Sequence, residues 1–187
     1  MNAEKMIIFV KELERLKETR RTAYMKSGRN ESVAEHSWRL ALFALTLSKE
    51  LPELDMYKVL SMCLVHDLGE AYDGDISATI QVNQQEKVRK EEAAVERLTE
   101  VLPDNMSHLI LNLCREYNLG ETNEAKLVKA LDKMETIIQH TQGTNPPGFD
   151  YTFNLTYGRE YVDYHPVLKS IRQAIDDETK KKIDEEG

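Results

Sequence analysis

The chain has 187 residues, 41% hydrophobic and 31% charged, the make-up of one soluble globular domain large enough to bury a core without disulfide staples. Its formal net charge of −8 repels long polyanions and argues against a nucleic-acid polymer as partner. No apolar run approaches the roughly 18 residues that cross a bilayer, and the start Met1-Asn2-Ala3-Glu4-Lys5 lacks the basic and long apolar parts of a signal peptide.

The expected fold is all-α, a single helical bundle over residues 1–187. Repeats, low-complexity segments and alternating strand patterns are absent, and apolar residues recur at helical spacing. A first helix is expected at about 3–17, with Met6, Val10 and Leu13 on its apolar side. The basic stretch Lys17, Arg20, Arg21, Lys26 and Arg29 follows, ending in a loop at Gly28 and Asn30. The second helix starts at a capping box, Ser32 with Glu35, runs through Trp38 to Leu47 and stops before Pro52. His36 falls in its first turn. A third helix, about 55–68, is apolar almost all round from Val59 to Val65, which marks it as central.

Residues 69–82 read as irregular, with Gly69, Gly74 and the acids Glu70, Asp73 and Asp75. Helices are expected at about 84–102, 105–117 and 124–141, the last capped by Asn123 and striped by Leu127, Leu131, Met134 and Ile138. A loop holds Pro146-Pro147, and a C-terminal helical extension covers about 150–183. Glu91-Glu92 and Asp176-Asp177-Glu178 read as solvated helix faces. Cys63 and Cys114 read as buried free thiols, which fits a reducing cytoplasm.

The chemistry concentrates in His66-Asp67, delivered by the most apolar helix into a turn, with Glu70 one turn on. His36 and Asp132, on helices with strong apolar faces, complete a set of two imidazoles and two carboxylates. Such a mixed nitrogen and oxygen set suits one divalent cation and leaves coordination positions open for water and substrate. A closed structural zinc site would use sulfur and nitrogen. Taken singly, each residue reads more simply as a surface histidine or an ion-paired carboxylate. Taken together, buried and unpaired, they would be costly without a common partner. His108 and His165 read as exposed and turn residues, and His140 as bland though two turns past Asp132.

Glu31-Ser32-Val33-Ala34-Glu35-His36-Ser37, then His66-Asp67-Leu68-Gly69-Glu70 with Gly74-Asp75-Ile76, then Leu131-Asp132 resemble the H…HD…D signature of the HD-domain metal-dependent phosphohydrolases. Within them the chain looks like the small 5′-deoxynucleotidases, over roughly residues 5–140. The resemblance implies an all-helical HD-type bundle, often a homodimer. It also implies one divalent ion (cobalt, manganese, zinc, iron, nickel or magnesium) held by His36, His66, Asp67 and Asp132. It implies further that Glu70 acts on the water or leaving group, that Asp75 positions the water or phosphate, and that Arg21 binds the 5′-phosphate. An arginine fork matches phosphate oxygens. Thr22 stands where those nucleotidases carry a tryptophan against the sugar.

The expected activity is therefore hydrolysis of (deoxy)ribonucleoside 5′-monophosphates, the partner being a small nucleotide with neither nucleic-acid polymer nor membrane. The alternatives are another small phosphate ester (a cyclic nucleotide or a nucleoside triphosphate) or a non-catalytic helical binding protein that keeps a metal for stability.

Overall fold

The computed structural model describes residues 2–77, 80 and 83–186. Its order is α1 (Ala3–Glu12), α2 (Glu14–Glu18), β1 (Arg20–Tyr24), β2 (Asn30–Ser32), α3 (Val33–Thr46), α4 (Met56–Val65), α5 (Glu70–Asp73), α6 (Gln84–Thr99), α7 (Asp104–Leu119) and α8 (Asn123–Gln142). Two 3-10 helices, Tyr151–Leu155 and Arg159–Tyr161, precede α9 (Pro166–Glu186). The helical class holds, and no helix among the described residues is long and apolar enough to cross a membrane.

The central helix is α8. It packs against α3, α4, α7 and α9, and Leu127, Leu131, Met134 and Ile137 on it are fully buried. Each such side chain contributes about 1.5–3 kcal/mol by leaving water. The largest cluster joins these to Leu40 and Ala44 of α3 and to Val59, Met62 and Cys63 of α4. A second cluster, including Val33, Leu68, Val95 and Leu98, fills the space under α6 and α7.

The local chemistry explains the helix starts nearest the site. The capping box forms as expected: Ser32 Oγ accepts from the Glu35 amide at 3.2 Å and Glu35 Oε2 accepts from the Ser32 amide at 2.9 Å. Asp55 caps α4 through the Lys58 amide. Gly120, at φ 64°, closes α7 in the left-handed conformation that glycine adopts without penalty.

The structure departs from the sequence-based expectations in several places. The first helix breaks at Leu13 into α1 and α2. The basic stretch forms an antiparallel hairpin, pairing Arg20 with Ser32 and Tyr24 with Asn30. The hairpin is anchored from outside, because Gln139 Nε2 donates to the Tyr24 carbonyl at 2.5 Å. Thr122, not Asn123, caps α8. Glu70 to Asp73 form a short helical turn inside the segment read as irregular, of which positions 78, 79, 81 and 82 lie outside the described residues. Asp176 is not a solvated residue: it is 1% exposed and pairs with Arg172 and Arg159.

Candidate active site

His36, His66 and Asp67 present ligand atoms that all lie within 4.8 Å of one another. His36 Nε2 is 3.2 Å from Asp132 Oδ1 and 3.8 Å from Asp67 Oδ2, and His66 Nε2 is 3.1 Å from Asp67 Oδ2. The first turn of α3 and the C-terminal end of α4 supply that trio, and Asp132, from the middle of α8, stands outside it and meets it through His36.

The hydrogen bonds around the imidazoles fix which nitrogen is free. His66 Nδ1 lies 3.0 Å from the Cys63 carbonyl. A carbonyl only accepts, so Nδ1 carries the proton and Nε2 presents its lone pair. His36 Nδ1 donates to Glu135 Oε2 at 2.5 Å. Both Nε2 atoms are buried without a hydrogen-bond partner, and both face the Asp67–Asp132 side. Buried nitrogens aimed at two carboxylates, each oriented by a second acceptor behind it, form a donor set that a divalent cation would satisfy. The residues fit the metal.

The carboxylates around the imidazoles draw positive charge, and without an ion a proton on His36 answers them. Burial and the Arg21 charge work against a proton on His36, but Glu135 and Asp132 outweigh them and raise the imidazole to about 9. Burial pushes the Asp67 and Asp132 carboxyls up, yet His66 acts on Asp67, and Lys133 with His36 acts on Asp132, to hold both well below the usual carboxylate range. Asp132 Oδ2 also accepts from Tyr117 at 2.5 Å and from Lys133 at 2.8 Å, leaving Oδ1 toward His36.

A second acid and histidine grouping, Glu31, His36 and Glu135, is an ion-pair network. Arg39 Nε donates to Glu135 Oε1 at 2.5 Å and Arg39 reaches Glu31 at 3.7 Å. Glu31 is raised to about 7, by burial first and Glu135 second. The sequence reading gave no role to any of these three supporting residues, naming Glu31 only within the motif before His36 and leaving Arg39 and Glu135 unnamed. Glu135 had a visible signal, since it sits one helical turn from Asp132 on the buried side of α8.

A cavity of about 780 Å³ opens over the centre, lined on its metal side by Arg21, His66, Asp67, Glu70, Asp75 and Asp132. Arg21 donates from Nη2 to Thr136 at 2.9 Å and lies 3.5 Å from Asp67 Oδ2 and 3.4 Å from Glu31. Lys87, Lys129 and Lys133 add positive charge to the same cavity. Glu70 is 6% exposed, and its Oε2 has no hydrogen-bond partner. Burial, then the charges of Asp67 and Asp75, push its carboxyl up to about 10. Gly69 lets α6 approach: a Cβ there would fall 2.8 Å from the Glu91 Cα. Glu91 accordingly lines the cavity and pairs with Lys87 at 3.4 Å, against its reading as a solvated residue.

Of the remaining residues singled out, Thr22 lies at the cavity edge, its hydroxyl 3.3 Å from Ser77. Arg29 turns away and pairs with Glu35. His108 is exposed. His140 lines the cavity and meets Asn154 at 2.8 Å, the approach to the site that its place two turns past Asp132 left open beside the bland reading. Cys63 and Cys114 are free and buried.

This helical fold, with its paired histidines and carboxylates, is matched by the HD domain model over residues 13–172. The chain belongs to the HD domain family, and the match runs past residue 140, through the 3-10 helices into α9. Among curated relatives, a Xenopus laevis protein named 5′-deoxynucleotidase HDDC2 is 33% identical, over 96% of this chain and 90% of its own length. A Schizosaccharomyces pombe protein named 5′-deoxynucleotidase hdd1 is 36% identical, over 74% of each chain. A crystal structure from Magnetospirillum magnetotacticum, named as a predicted metal-dependent phosphohydrolase, superposes with a TM-score of 0.80 at 27% identity, covering 95% of this chain and 92% of that one.

Proposed function

We propose that the chain is a metal-dependent phosphohydrolase that releases phosphate from nucleoside 5′-monophosphates, deoxyribonucleotides among them. The observation that carries this reading is the pair of buried imidazole Nε2 atoms left without partners beside Asp67 and Asp132, under a cavity that Arg21, Lys87, Lys129 and Lys133 help to line. The relatives named 5′-deoxynucleotidase support the substrate class.

His36, His66, Asp67 and Asp132 hold one divalent ion. When bound, the ion supplies Lewis-acid charge against a phosphoryl oxygen and acidifies water. Arg21, with Nη2 fixed by Thr136 and the Glu31 carboxylate 3.4 Å from its Nε, stands as a preset cation for the phosphate. Lys133, 2.8 Å from Asp132, adds charge to the same side. Glu70, whose carboxyl keeps its proton up to about 10, gives one to the departing 5′-oxygen. Asp75, on the cavity wall after Gly74, orients the water or phosphate.

The partner we infer for the exposed apolar stripe Trp38, Leu42 and Leu45 on α3 is a second copy of the chain, since contiguous exposed apolar surface marks interfaces. A reducing cytoplasm suits the two free buried thiols.

The deciding experiment is metal analysis of the purified protein joined to phosphate-release assays over a nucleotide panel. Stoichiometric metal and activity on 5′-monophosphates are expected. Activity confined to cyclic nucleotides or triphosphates would refute the monoesterase reading. Metal-loaded protein inert on every phosphate ester would leave a metal-stabilised binding protein. Light scattering on the same sample distinguishes a dimer from a monomer.

A further inference from the structure

The cavity has a second wall that phosphate chemistry does not use. Phe149, Phe153, Tyr157 and Tyr161 line it, all from the stretch between α8 and α9. Phe153 and Tyr157 stack with centroids 4.8 Å apart and planes 29° from parallel. Lys133 ties this wall to the metal side: its Nζ touches Asp132 at 2.8 Å and lies 5.4 Å from the centre of the Tyr157 ring.

The stretch has only two short 3-10 helices of its own, and another helix fixes its shape. Arg172 of α9, 2% exposed, donates from Nη1 to the Tyr157 carbonyl at 2.6 Å and from Nη2 to the Asn154 carbonyl at 2.7 Å. Its Nε donates to Asp176 at 2.7 Å. A guanidinium buried this deeply is costly to desolvate, and its bonds to two carbonyls of the stretch hold one conformation. Here that conformation is the one that presents two aromatic rings to the cavity.

We propose that this wall seats the nucleobase of the substrate by stacking, and that Arg172 is the positioning residue that holds the wall in place. The inference rests on the nucleotidase reading given above, and it adds the determinant that separates nucleotides from smaller phosphate esters. Stacking reads the face of a base and not its edge, so every base has a usable surface. A phosphorylated sugar without a base gains nothing from the rings.

The test compares kcat/KM for the four deoxyribonucleoside 5′-monophosphates with that for 2-deoxyribose 5-phosphate, in metal-loaded wild type and variants. For wild type the nucleotides are expected within about tenfold of one another and at least about tenfold above the sugar phosphate, the range that stacking of one base supplies. Phe153→Leu and Arg172→Lys should each lower the nucleotide-to-sugar-phosphate ratio by about fivefold or more, mainly through the nucleotide KM, and Phe153→Tyr should restore it. Phe153 is only half-buried, so its variants report even where Arg172→Lys fails to fold. A wild-type ratio near one, or a Phe153→Leu loss equal on both substrates, overturns the wall while leaving the phosphomonoesterase intact. No phosphate release from any monoester overturns both.

Discussion

Glu70 is held against its own electrostatics. A buried carboxyl beside Asp67 and Asp75, raised to about 10, binds a proton in the folded chain that the unfolded chain has released above about 4.5. The folded state is then the more protonated one between those values, so this group costs stability increasingly as pH rises from 4.5 toward 10. A neutral amide removes that slope. Glu70→Gln in metal-free protein should match wild type in melting temperature near pH 4.5. It should exceed wild type at pH 8 by on the order of 2 kcal/mol, roughly 4–8 °C for a chain of this size. The same variant should lose about 10²-fold or more in activity if the carboxyl handles the proton of the reaction. Scanning calorimetry across pH, with phosphate release alongside, checks both; equal melting temperatures at all pH values would reject the electrostatic account.

Glu135 acts one shell further out. It fixes the His36 ring through a 2.5 Å bond to Nδ1 and is itself held by Arg39. Oriented imidazoles bind metal better than free ones, and loss of such a partner commonly costs 10–100-fold in affinity. Glu135→Gln should weaken metal binding by about that factor in chelator competition, with the helical circular dichroism signal retained.

Among the elements, α3 shows most directly how local sequence sets the site. Ser32 and Glu35 cap the helix, and His36 is the next residue, so the cap also aims a ligand. Ser32→Ala should cost about 1 kcal/mol of stability and weaken metal binding as well, measured by denaturant unfolding and by metal titration. If stability falls while metal affinity is unchanged, the first turn of α3 is set by packing of Val33 and Leu40 alone.

What was legible in the sequence follows from where the information lies. The capping box and the apolar stripe of α8 are local, and both helices form where these indicate, although α3 ends at Thr46, ahead of the stop at Pro52. The hairpin was not legible because Arg20 to Tyr24 carries no apolar alternation; it is held by Gln139 and by its place under α3. The pairing of Asp176 with Arg172 and Arg159 was hidden for a similar reason. A charged run on a helix looks solvated until the other partner, here Arg159 and the carbonyls beside it, arrives from another element. The same distance hid Glu31 and Arg39, which matter only through Glu135 and Arg21.

Across the whole molecule, the centre joins the parts that the rest of the chain keeps separate. His36 comes from α3, His66 and Asp67 from the end of α4, and Asp132 from α8, and these three helices share the largest buried cluster. An ion bound by all of them binds the folded chain and not the unfolded one, so it stabilises by mass action. At a hundred times its dissociation constant this amounts to about 2.7 kcal/mol, roughly 5–11 °C in melting temperature for a chain of this length. The gain should depend on pH with a definite sign. Metal takes the neutral imidazole, whereas His36 without metal holds its proton up to about 9. The proton therefore competes below that value, and the melting-temperature gain at fixed cobalt or manganese should grow from pH 6 to pH 9. Thermal shift in chelator-stripped protein measures it directly. His66→Ala should abolish the gain, since it removes the lone pair that faces Asp67. A gain that persists in His66→Ala, or that shrinks as pH rises, would place the binding elsewhere on a surface whose net charge of −8 attracts cations without any built site.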